Sequence, residues 1–256
     1  MEPSVQFEVD GHVATVTINR PGKLNAIDGE VFADLVRAFQ TVEADPDIFV
    51  AVLAAAGDKS FSVGADLEEY IPRLTCEGLD VLVDEPSKRF LSEVTKPVIA
   101  AVRGFCLAGG TELMLGTDIR IVGSDATFGL PEVRWGLVPA SGAHVRLLRQ
   151  IPWAIGMQLL LTGKPVDAAR AYEIGLVNEV VAPDGVLGRA QELATQIAEN
   201  GPIAIRTAKA TAVRTFDLER KFEIEYDGSR PIYETSDSRE GPRAFVERRK
   251  PEFQGR

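Results

Sequence analysis

The chain has 256 residues, 45% hydrophobic and 26% charged, a size and composition typical of one large globular domain or of a domain with an appended lobe. Its formal net charge of −10 excludes a protein that coats nucleic acid, and a phosphate-bearing ligand would need local basic groups. The N-terminal segment MEPSVQFEVDG lacks a basic region followed by an apolar run, and no stretch approaches the roughly 20 apolar residues that cross a bilayer. We therefore predict neither a secretory signal nor a membrane span.

Cysteine and histidine are scarce. Cys76 and Cys106 form no CxxC pair, and the histidines are His12 and His144. These residues predict no disulfide framework and no metal site, and a reducing, cytoplasmic setting is the simplest interpretation.

The first half of the chain alternates strand and helix signals. β-forming residues on both sides of Asp10-Gly11 predict a hairpin over residues 5–18. Apolar residues at helical spacing predict a helix from Gly29 to Glu43, and a buried strand follows from Phe49 to Ala55. A second unit repeats the order, with a helix near residues 80–94, a strand at 98–102, a glycine turn and a helix from about Gly109. Alternation of this kind predicts an α/β core.

The second half becomes helical after two short strands. The predicted elements are strands at 119–122 and 127–128 and helices at 143–150, 153–162, 187–200, 202–215 and 218–226. We predict a core over residues 1–190 and a C-terminal helical lobe over 191–256. The last segment, 239–256, is dense in Arg, Lys and Pro, which predicts a solvated tail.

Three segments contain residues suited to chemistry. In FSVGADL, at 61–67, Gly64 allows the backbone to approach a ligand, although in isolation such a segment is better explained as a structural turn. AGGTELML, at 108–115, follows a strand and opens a helix, where free N–H groups and the positive end of the helix dipole stabilise an oxyanion. Glu112 lies in its first turn, a position where an acidic residue also stabilises a helix for purely structural reasons.

The third segment, FGLPEVRWGLVP at 128–139, places Glu132 among apolar residues. A carboxyl group in such surroundings has a raised pKa and is suited to act as an acid. If Glu132 is exposed instead, it is only a turn residue.

Together with RPGKLNAID at 20–28, these segments resemble in order and spacing the motifs of the crotonase (enoyl-CoA hydratase/isomerase) superfamily. The resemblance covers essentially the whole chain, down to GPRAFVER at 241–248, which is typical of the hydratase branch. It implies an α/β crotonase fold with a repeated ββα spiral core and a C-terminal helical trimerisation lobe. It also implies a homotrimer or a dimer of trimers.

The resemblance assigns roles to the catalytic residues. In the family the thioester carbonyl lies between two backbone N–H groups, which match Ala65 and Gly109. Glu112 and Glu132 match the paired glutamates of hydratases, and we assign Glu112 as the base that activates water and Glu132 as the acid that protonates the α-carbon. An isomerase needs chiefly the carboxylate at Glu132, so Glu112 favours hydration.

The implied substrate is an acyl-coenzyme A thioester. The predicted reaction adds water across the 2,3 double bond of a 2-enoyl-CoA to give a 3-hydroxyacyl-CoA, as in fatty-acid β-oxidation, with no cofactor beyond the coenzyme A of the substrate. The alternatives are an isomerase, a hydratase for a specialised acyl-CoA such as a carnitine-derived thioester, or a non-catalytic acyl-CoA-binding paralogue. The residues that match substrate-binding positions are Lys23, Ala26, Val63, Asp66, Leu67, Ala140, whose N–H helps hold the water, and, from a neighbouring subunit's tail, Phe245 and Arg248.

The sequence departs from the family pattern in two places. PASGAHVRL at 139–147 replaces a glycine-rich segment, and its His144 is better explained as a structural hydrogen bonder than as a catalyst. Glu68-Glu69 stands where relatives often have a lysine, which argues against phosphate contacts there. We expect acyl specificity to depend on residues 70–94 and 135–144, which flank the predicted site.

Overall fold

The computed structural model describes residues 3–69, 73, 78–81, 83, 85 and 88–255. In this part of the chain the strands form a six-stranded sheet of order β1-β2-β3-β5-β7-β10 and a four-stranded sheet of order β4-β6-β8-β9. The strands are β1 (Val5–Asp10), β2 (Val13–Ile18), β3 (Val50–Ala55), β4 (Ser60–Ser62), β5 (Val98–Val102), β6 (Phe105–Leu107), β7 (Ile119–Gly123), β8 (Thr127–Gly129), β9 (Val166–Asp167) and β10 (Glu179–Val181).

Helices cover both sheets and form the C-terminal lobe. They are α1 (Gly29–Ala44), α2 (Gly109–Leu115), α3 (Ala143–Gln150), α4 (Trp153–Thr162), α5 (Ala168–Glu173), α6 (Val186–Ala198), α7 (Pro202–Arg214), α8 (Leu218–Tyr233) and α9 (Asp237–Val246). No helix among the described residues is both long enough and apolar enough to cross a lipid bilayer.

The six-stranded sheet begins with the predicted hairpin and continues in parallel. β1 and β2 are antiparallel, with Val5 opposite Ile18 and Asp10 opposite Val13, and Gly11 takes the left-handed conformation that the turn requires. β2, β3, β5, β7 and β10 then follow one another in parallel pairs. The predicted α/β architecture is confirmed.

The central strands are apolar on both faces because helices cover both sides of the sheet. On one face Leu53 and Ala100 belong to the core cluster that contains Leu35 of α1. On the other face Val52 and Ile99 pack in a cluster with Ala190 and its neighbours on α6. Helix α6 therefore crosses the predicted boundary at residue 190 and packs on the sheet of the core.

One predicted helix is wrong, and six strands and helices were not predicted. Residues 78–81 form a 3-10 helix, and 88–94 form turns in which Leu91 has a φ of +61°, a value that an α-helix does not accommodate. The remainder of the predicted 80–94 helix, residues 82, 84, 86 and 87, lies outside the described residues. The elements that the sequence did not reveal are the short strands β4, β6, β9 and β10 and the helices α5 and α9.

The predicted solvated tail is wrong at its start, where α9 is a packed helix. Ser238, Gly241, Pro242 and Ala244 are buried. The buried face consists of small residues between charged ones, so it produces no apolar periodicity in the sequence. Helix α9 lies on the 3-10 helix Pro131–Trp135, the element that contains Glu132.

Candidate active site

Two backbone N–H groups face each other where the four-stranded sheet meets α2. Residues Ile27 and Ala65 form a parallel bridge in which the Ile27 N–H donates to the Gly64 carbonyl and the Asp66 N–H donates to the Ile27 carbonyl. This bridge leaves the N–H of Ala65 directed away from Ile27. The N–H of Gly109 is the first in α2 and has no acceptor inside that helix.

Glycine is required for this close approach. Gly64 has a φ of +89°, and a Cβ atom at Gly64 would lie 2.7 Å from the Gly109 nitrogen and 2.8 Å from the Ala108 Cβ. A Cβ atom at Gly109 would lie 3.6 Å from the Ala65 nitrogen. The geometry thus brings the predicted donors Ala65 and Gly109 together, in an arrangement suited to an oxyanion.

Glu112 is buried one turn into α2, with 4% of its surface exposed. Its Oε1 accepts hydrogen bonds from the Ser141 N–H at 2.7 Å and, more weakly, from the Ala143 N–H at 3.4 Å. Burial, and then the negative charge of Glu225, raise the pKa of Glu112 to about 7. A carboxyl group with such a pKa exchanges protons readily near neutral pH.

Glu132 begins the 3-10 helix Pro131–Trp135 that follows β8. Its Oε2 is buried and has no hydrogen-bond partner among the described residues. Burial and the neighbouring charge of Glu112 raise the pKa of Glu132 well above its usual value. An unpartnered buried oxygen of this kind is costly to leave unsatisfied, and it is suited to bind a proton or a polar ligand atom.

The 139–144 segment lies beside Glu112. Ala140, whose N–H is predicted to help hold the water, is buried, and the N–H of the next residue, Ser141, donates to Glu112. His144 is a structural hydrogen bonder: its N–H and its Nδ1 lie 3.0 and 3.3 Å from Glu225 Oε1.

The predicted coenzyme A segments lie next to each other. The Ile27–Ala65 bridge joins the 20–28 loop, which includes Lys23 and Ala26, to the 61–67 segment, which includes Val63, Asp66 and Leu67. The Asp66 carboxylate accepts from Arg20 at 3.1 Å, so it stabilises the loop. The exposed Lys23 ammonium donates to Glu68 at 2.6 Å. The basic group expected to meet a phosphate is therefore paired with one of the unusual acidic residues.

Phe245 and Arg248 lie at the end of α9. The Phe245 ring packs edge-on against Trp135, with ring centroids 4.9 Å apart. Its contact in this chain is thus with the 3-10 helix that contains Glu132.

Two residues of the C-terminal lobe that sequence reasoning missed adjoin the site. Glu225 accepts from the Gly142 N–H at 2.9 Å, and the Tyr233 hydroxyl donates to the Val138 carbonyl at 2.8 Å. The sequence does not single out Glu225 or Tyr233, because each is one polar residue among many in an amphipathic helix. Within the described residues no group of three or more His, Cys, Asp or Glu side chains could hold a metal ion.

The chain is similar in sequence and in structure to known proteins over its whole length. Residues 8–256 match the family model described as Enoyl-CoA hydratase/isomerase. The chain is 40% identical to "Enoyl-CoA hydratase EchA19" of Mycobacterium tuberculosis over 99% of this chain and 97% of that one. It is 37% identical to "Short-chain-enoyl-CoA hydratase" of Clostridium acetobutylicum, with 96% of each chain covered. A crystal structure of carnitinyl-CoA hydratase from Mycobacterium avium superposes with a TM-score of 0.90 at 35% identity, over all of both chains. A whole-length match of this strength in both sequence and fold places the chain in the enoyl-CoA hydratase/isomerase family.

Proposed function

We propose that this chain is an enoyl-CoA hydratase, a hydro-lyase in which Glu112 and Glu132 add water across the 2,3 double bond of a 2-enoyl-CoA. The observation that carries the proposal is the pair of buried carboxyl groups with raised pKa values beside the facing N–H groups of Ala65 and Gly109. The family membership and the names of the full-length relatives support the reaction class.

The reaction follows from these groups. Glu112 removes a proton from water, and the oxygen forms a bond to C3. The π electrons move towards the thioester carbonyl, whose oxygen becomes an enolate-like anion held by the N–H groups of Ala65 and Gly109. Glu132 then delivers its proton to C2, which restores the thioester and gives the 3-hydroxyacyl-CoA. The N–H groups of Ser141 and Ala143 hold Glu112 in place.

No further group is needed for this chemistry, and we propose that the enzyme uses no cofactor beyond the coenzyme A of its substrate. Proton transfer by the glutamates and stabilisation of the oxyanion account for each step. We assign coenzyme A binding to Lys23, Ala26, Val63, Asp66 and Leu67, with the water held near Ala140 and Ser141. Phe245 and Arg248 complete the coenzyme A site across a subunit boundary.

The acyl group is proposed to lie in a cavity of about 640 Å³ between α1 and residues 83, 85 and 88–94. The cavity reaches Leu113 and Ser141, on either side of the Glu112 contact, and its walls include Leu35, Phe39 and Phe90. Both stretches that the sequence suggested for specificity, 70–94 and 135–144, contribute to it. The apolar lining favours an aliphatic chain.

A carnitine-derived thioester is the second candidate substrate. It is favoured by the carnitinyl-CoA hydratase of Mycobacterium avium, whose structure covers the whole chain. A quaternary ammonium group would need aromatic or acidic neighbours, and Phe90, Glu85 and Glu93 line the cavity.

We propose a cytoplasmic homotrimer or dimer of trimers. Apolar side chains on the C-terminal lobe support the assembly: Ile203, Ile224 and Val246 are 81%, 63% and 62% exposed.

We retain residues 1–190 as the catalytic core and 191–256 as the lobe, with α6 joining the two. The buried Cys106 is a free thiol, in keeping with a reducing compartment.

The proposal is tested with crotonyl-CoA, longer 2-enoyl-CoA thioesters and crotonobetainyl-CoA, by following the loss of the conjugated absorbance. Glu112→Gln and Glu132→Gln should each lower kcat by about 10² to 10⁴, the usual contribution of a positioned acid or base. Glu173→Gln, an exposed glutamate on α5, is the matched control. Full activity in both site variants, or binding without turnover of every thioester by the parent enzyme, would contradict the proposal.

A further inference from the structure

Four successive N–H groups at the start of α3, those of residues 141–144, alternate between two buried carboxylates. The first and third donate to Glu112 Oε1, at 2.7 and 3.4 Å. The second and fourth donate to Glu225, at 2.9 Å to Oε2 and 3.0 Å to Oε1. Glu225 belongs to α8 in the C-terminal lobe, so the lobe and the core hold the same turn from opposite sides.

Glu225 is itself held rigidly. Its side chain is 1% exposed, and its Oε2 accepts a hydrogen bond from Arg89 Nε at 3.0 Å. The same guanidinium donates through Nη2 to the Phe222 carbonyl, one turn earlier on α8, at 2.9 Å. The carboxylate that holds the turn therefore cannot change rotamer without breaking a buried ion pair.

The two sets of donors belong to consecutive peptide units that share Cα atoms. Each unit is planar, and the unit that contains the Ala143 N–H is joined at both ends to units held by Glu225, so it turns only through paired changes of φ and ψ. The unit that contains the Ser141 N–H is joined to a held unit at one end. Gly142 has a φ of +105°, which gives the turn its direction at a position where a side chain would be strained. A fixed Glu225 thus fixes the donors to Glu112.

Charged and titratable groups from several elements influence Glu112. They are Glu132 from the 3-10 helix, His144 and Arg146 from α3, and Glu225 and Tyr233 from α8. Of these, Glu225 accepts hydrogen bonds from Arg89 and from two backbone N–H groups, so its carboxylate is held in one orientation.

We propose that Glu225 is a positioning residue for hydration: by holding the Gly142 and His144 N–H groups it directs those of Ser141 and Ala143 to Glu112 and keeps that carboxylate in its working orientation. The inference rests on the proposed function of Glu112 as the base. The Glu225 carboxylate accepts hydrogen bonds from the 142–144 turn and from Arg89. It acts through the turn, and its removal should therefore affect the rate of the chemical step more than the binding of substrate.

The test compares Glu225→Gln with Glu223→Gln, an exposed glutamate on the same helix. With crotonyl-CoA, E225Q should lower kcat by about 10- to 100-fold, the scale of a misplaced catalytic group, with KM within about threefold of the parent value. E223Q should leave both unchanged. In an E112Q background E225Q should cause little further loss of the residual rate, because residues that act through one another are not additive.

Glu225→Asp is the second variant, because E225Q also removes the negative charge that Glu225 presents to Arg89. E225D retains the ion pair but is one methylene too short to hold both N–H groups, so kcat should again fall while KM is retained. Parent kcat in folded E225Q and E225D would overturn the inference, as would equal losses of kcat in the E112 and E112Q backgrounds. Full activity of E112Q alone would instead overturn the proposed function. A failure of the inference about Glu225 can therefore be distinguished from a failure of the proposed function.

Discussion

Gly241 lies against the carbonyl group of Trp135 so closely that a Cβ atom on the glycine would be 1.6 Å from the oxygen. This contact joins α9 to the 3-10 helix Pro131–Trp135, on which Glu132 is located. The Trp135–Phe245 ring contact lies along the same interface. The C-terminal helix therefore supports the element that positions one of the two carboxyl groups.

Substitution of Gly241 by alanine should separate α9 from this element. The added methyl group meets backbone atoms, which cannot yield as a side chain can, so we expect a loss of about 3 kcal/mol or more in the free energy of unfolding. Urea denaturation followed by circular dichroism measures it. Gly228→Ala, on α8 with open space around its Cβ position, should be neutral or stabilising by up to about 1 kcal/mol. Equal stability of the two variants would contradict the contact.

Substitution of Gly64 by alanine should close the space between the two N–H groups. The new Cβ would lie 2.7 Å from the Gly109 nitrogen, so the thioester oxygen could not reach both donors. We expect kcat/KM for crotonyl-CoA to fall by about 10² to 10³, the usual effect of losing one oxyanion donor. Gly11→Ala also introduces a side chain at positive φ, but into open space. It should cost stability and leave kcat/KM unchanged, and a matching loss of activity in both variants would refute the assignment.

The stability of the enzyme should depend on pH through Glu112. Its pKa is about 7 in the folded protein, above the usual value of 4.5, so the folded state keeps a proton that the unfolded chain loses. The corresponding stability is fully present below about pH 4.5 and is lost as the pH rises through about 7, with a size on the order of 3 kcal/mol.

Glu112→Gln has no carboxyl group to ionise at this position and should not show that loss. Its free energy of unfolding, relative to the parent, should therefore rise by about 2 to 3 kcal/mol between about pH 5 and pH 8.5. Urea denaturation of E112Q and of the parent at the two pH values measures this change in the free energy of unfolding. Glu173→Gln should show a constant difference from the parent, and a constant difference for E112Q would show that burial does not raise the pKa of Glu112.

Removal of Glu68 should strengthen the binding of acyl-CoA. Its carboxylate pairs with the exposed Lys23, and a coenzyme A phosphate has to displace or coexist with it. An exposed ion pair contributes only about 0–1 kcal/mol, so the folded protein should tolerate Glu68→Gln. We expect KM to fall by about two- to fivefold at low salt and the difference to shrink at high salt, because exposed charges are screened.

Steady-state kinetics at about 20 mM and about 500 mM salt measure KM for the parent and for E68Q. The screening length differs severalfold between these two ionic strengths. Lys23→Ala should raise KM, and Glu192→Gln, another exposed glutamate in an ion pair, should not change it. A rise in KM for E68Q would contradict the assignment of Lys23 to the binding of a coenzyme A phosphate.

The repeated elements of the core were predictable because their signals are local. The Asp10-Gly11 turn, the apolar stripe of α1 and the buried strand β3 each depend on residues that are close together in the sequence. The glycines of the 61–67 and 108–115 segments similarly predicted that the backbone can approach a ligand closely. In the structure these two segments lie so close together that a Cβ atom on Gly64 would be 2.7 Å from the Gly109 nitrogen.

The lobe was less predictable because its contacts are distant in sequence. Glu225 and Ser141 act on one turn from different elements, and nothing local to either residue indicates the other. The buried face of α9 consists of Ser238, Gly241 and Ala244, whose small size leaves no apolar pattern. The hydrogen bond from the Ser141 N–H to Glu112 depends on the direction of a single turn, which spacing in a motif does not determine.

The position of Glu225 in the chain has a consequence for biosynthesis. During translation Glu112 and Glu132 leave the ribosome well before α8, and at about 5–20 residues per second the delay between Glu112 and Glu225 is on the order of ten seconds. During that interval the 141–144 turn lacks the Glu225 carboxylate that holds it, and the ion pair between Arg89 and Glu225 has not formed. A nascent chain should therefore contain the core sheet before it contains a working base, and synthesis of the last helices completes the enzyme.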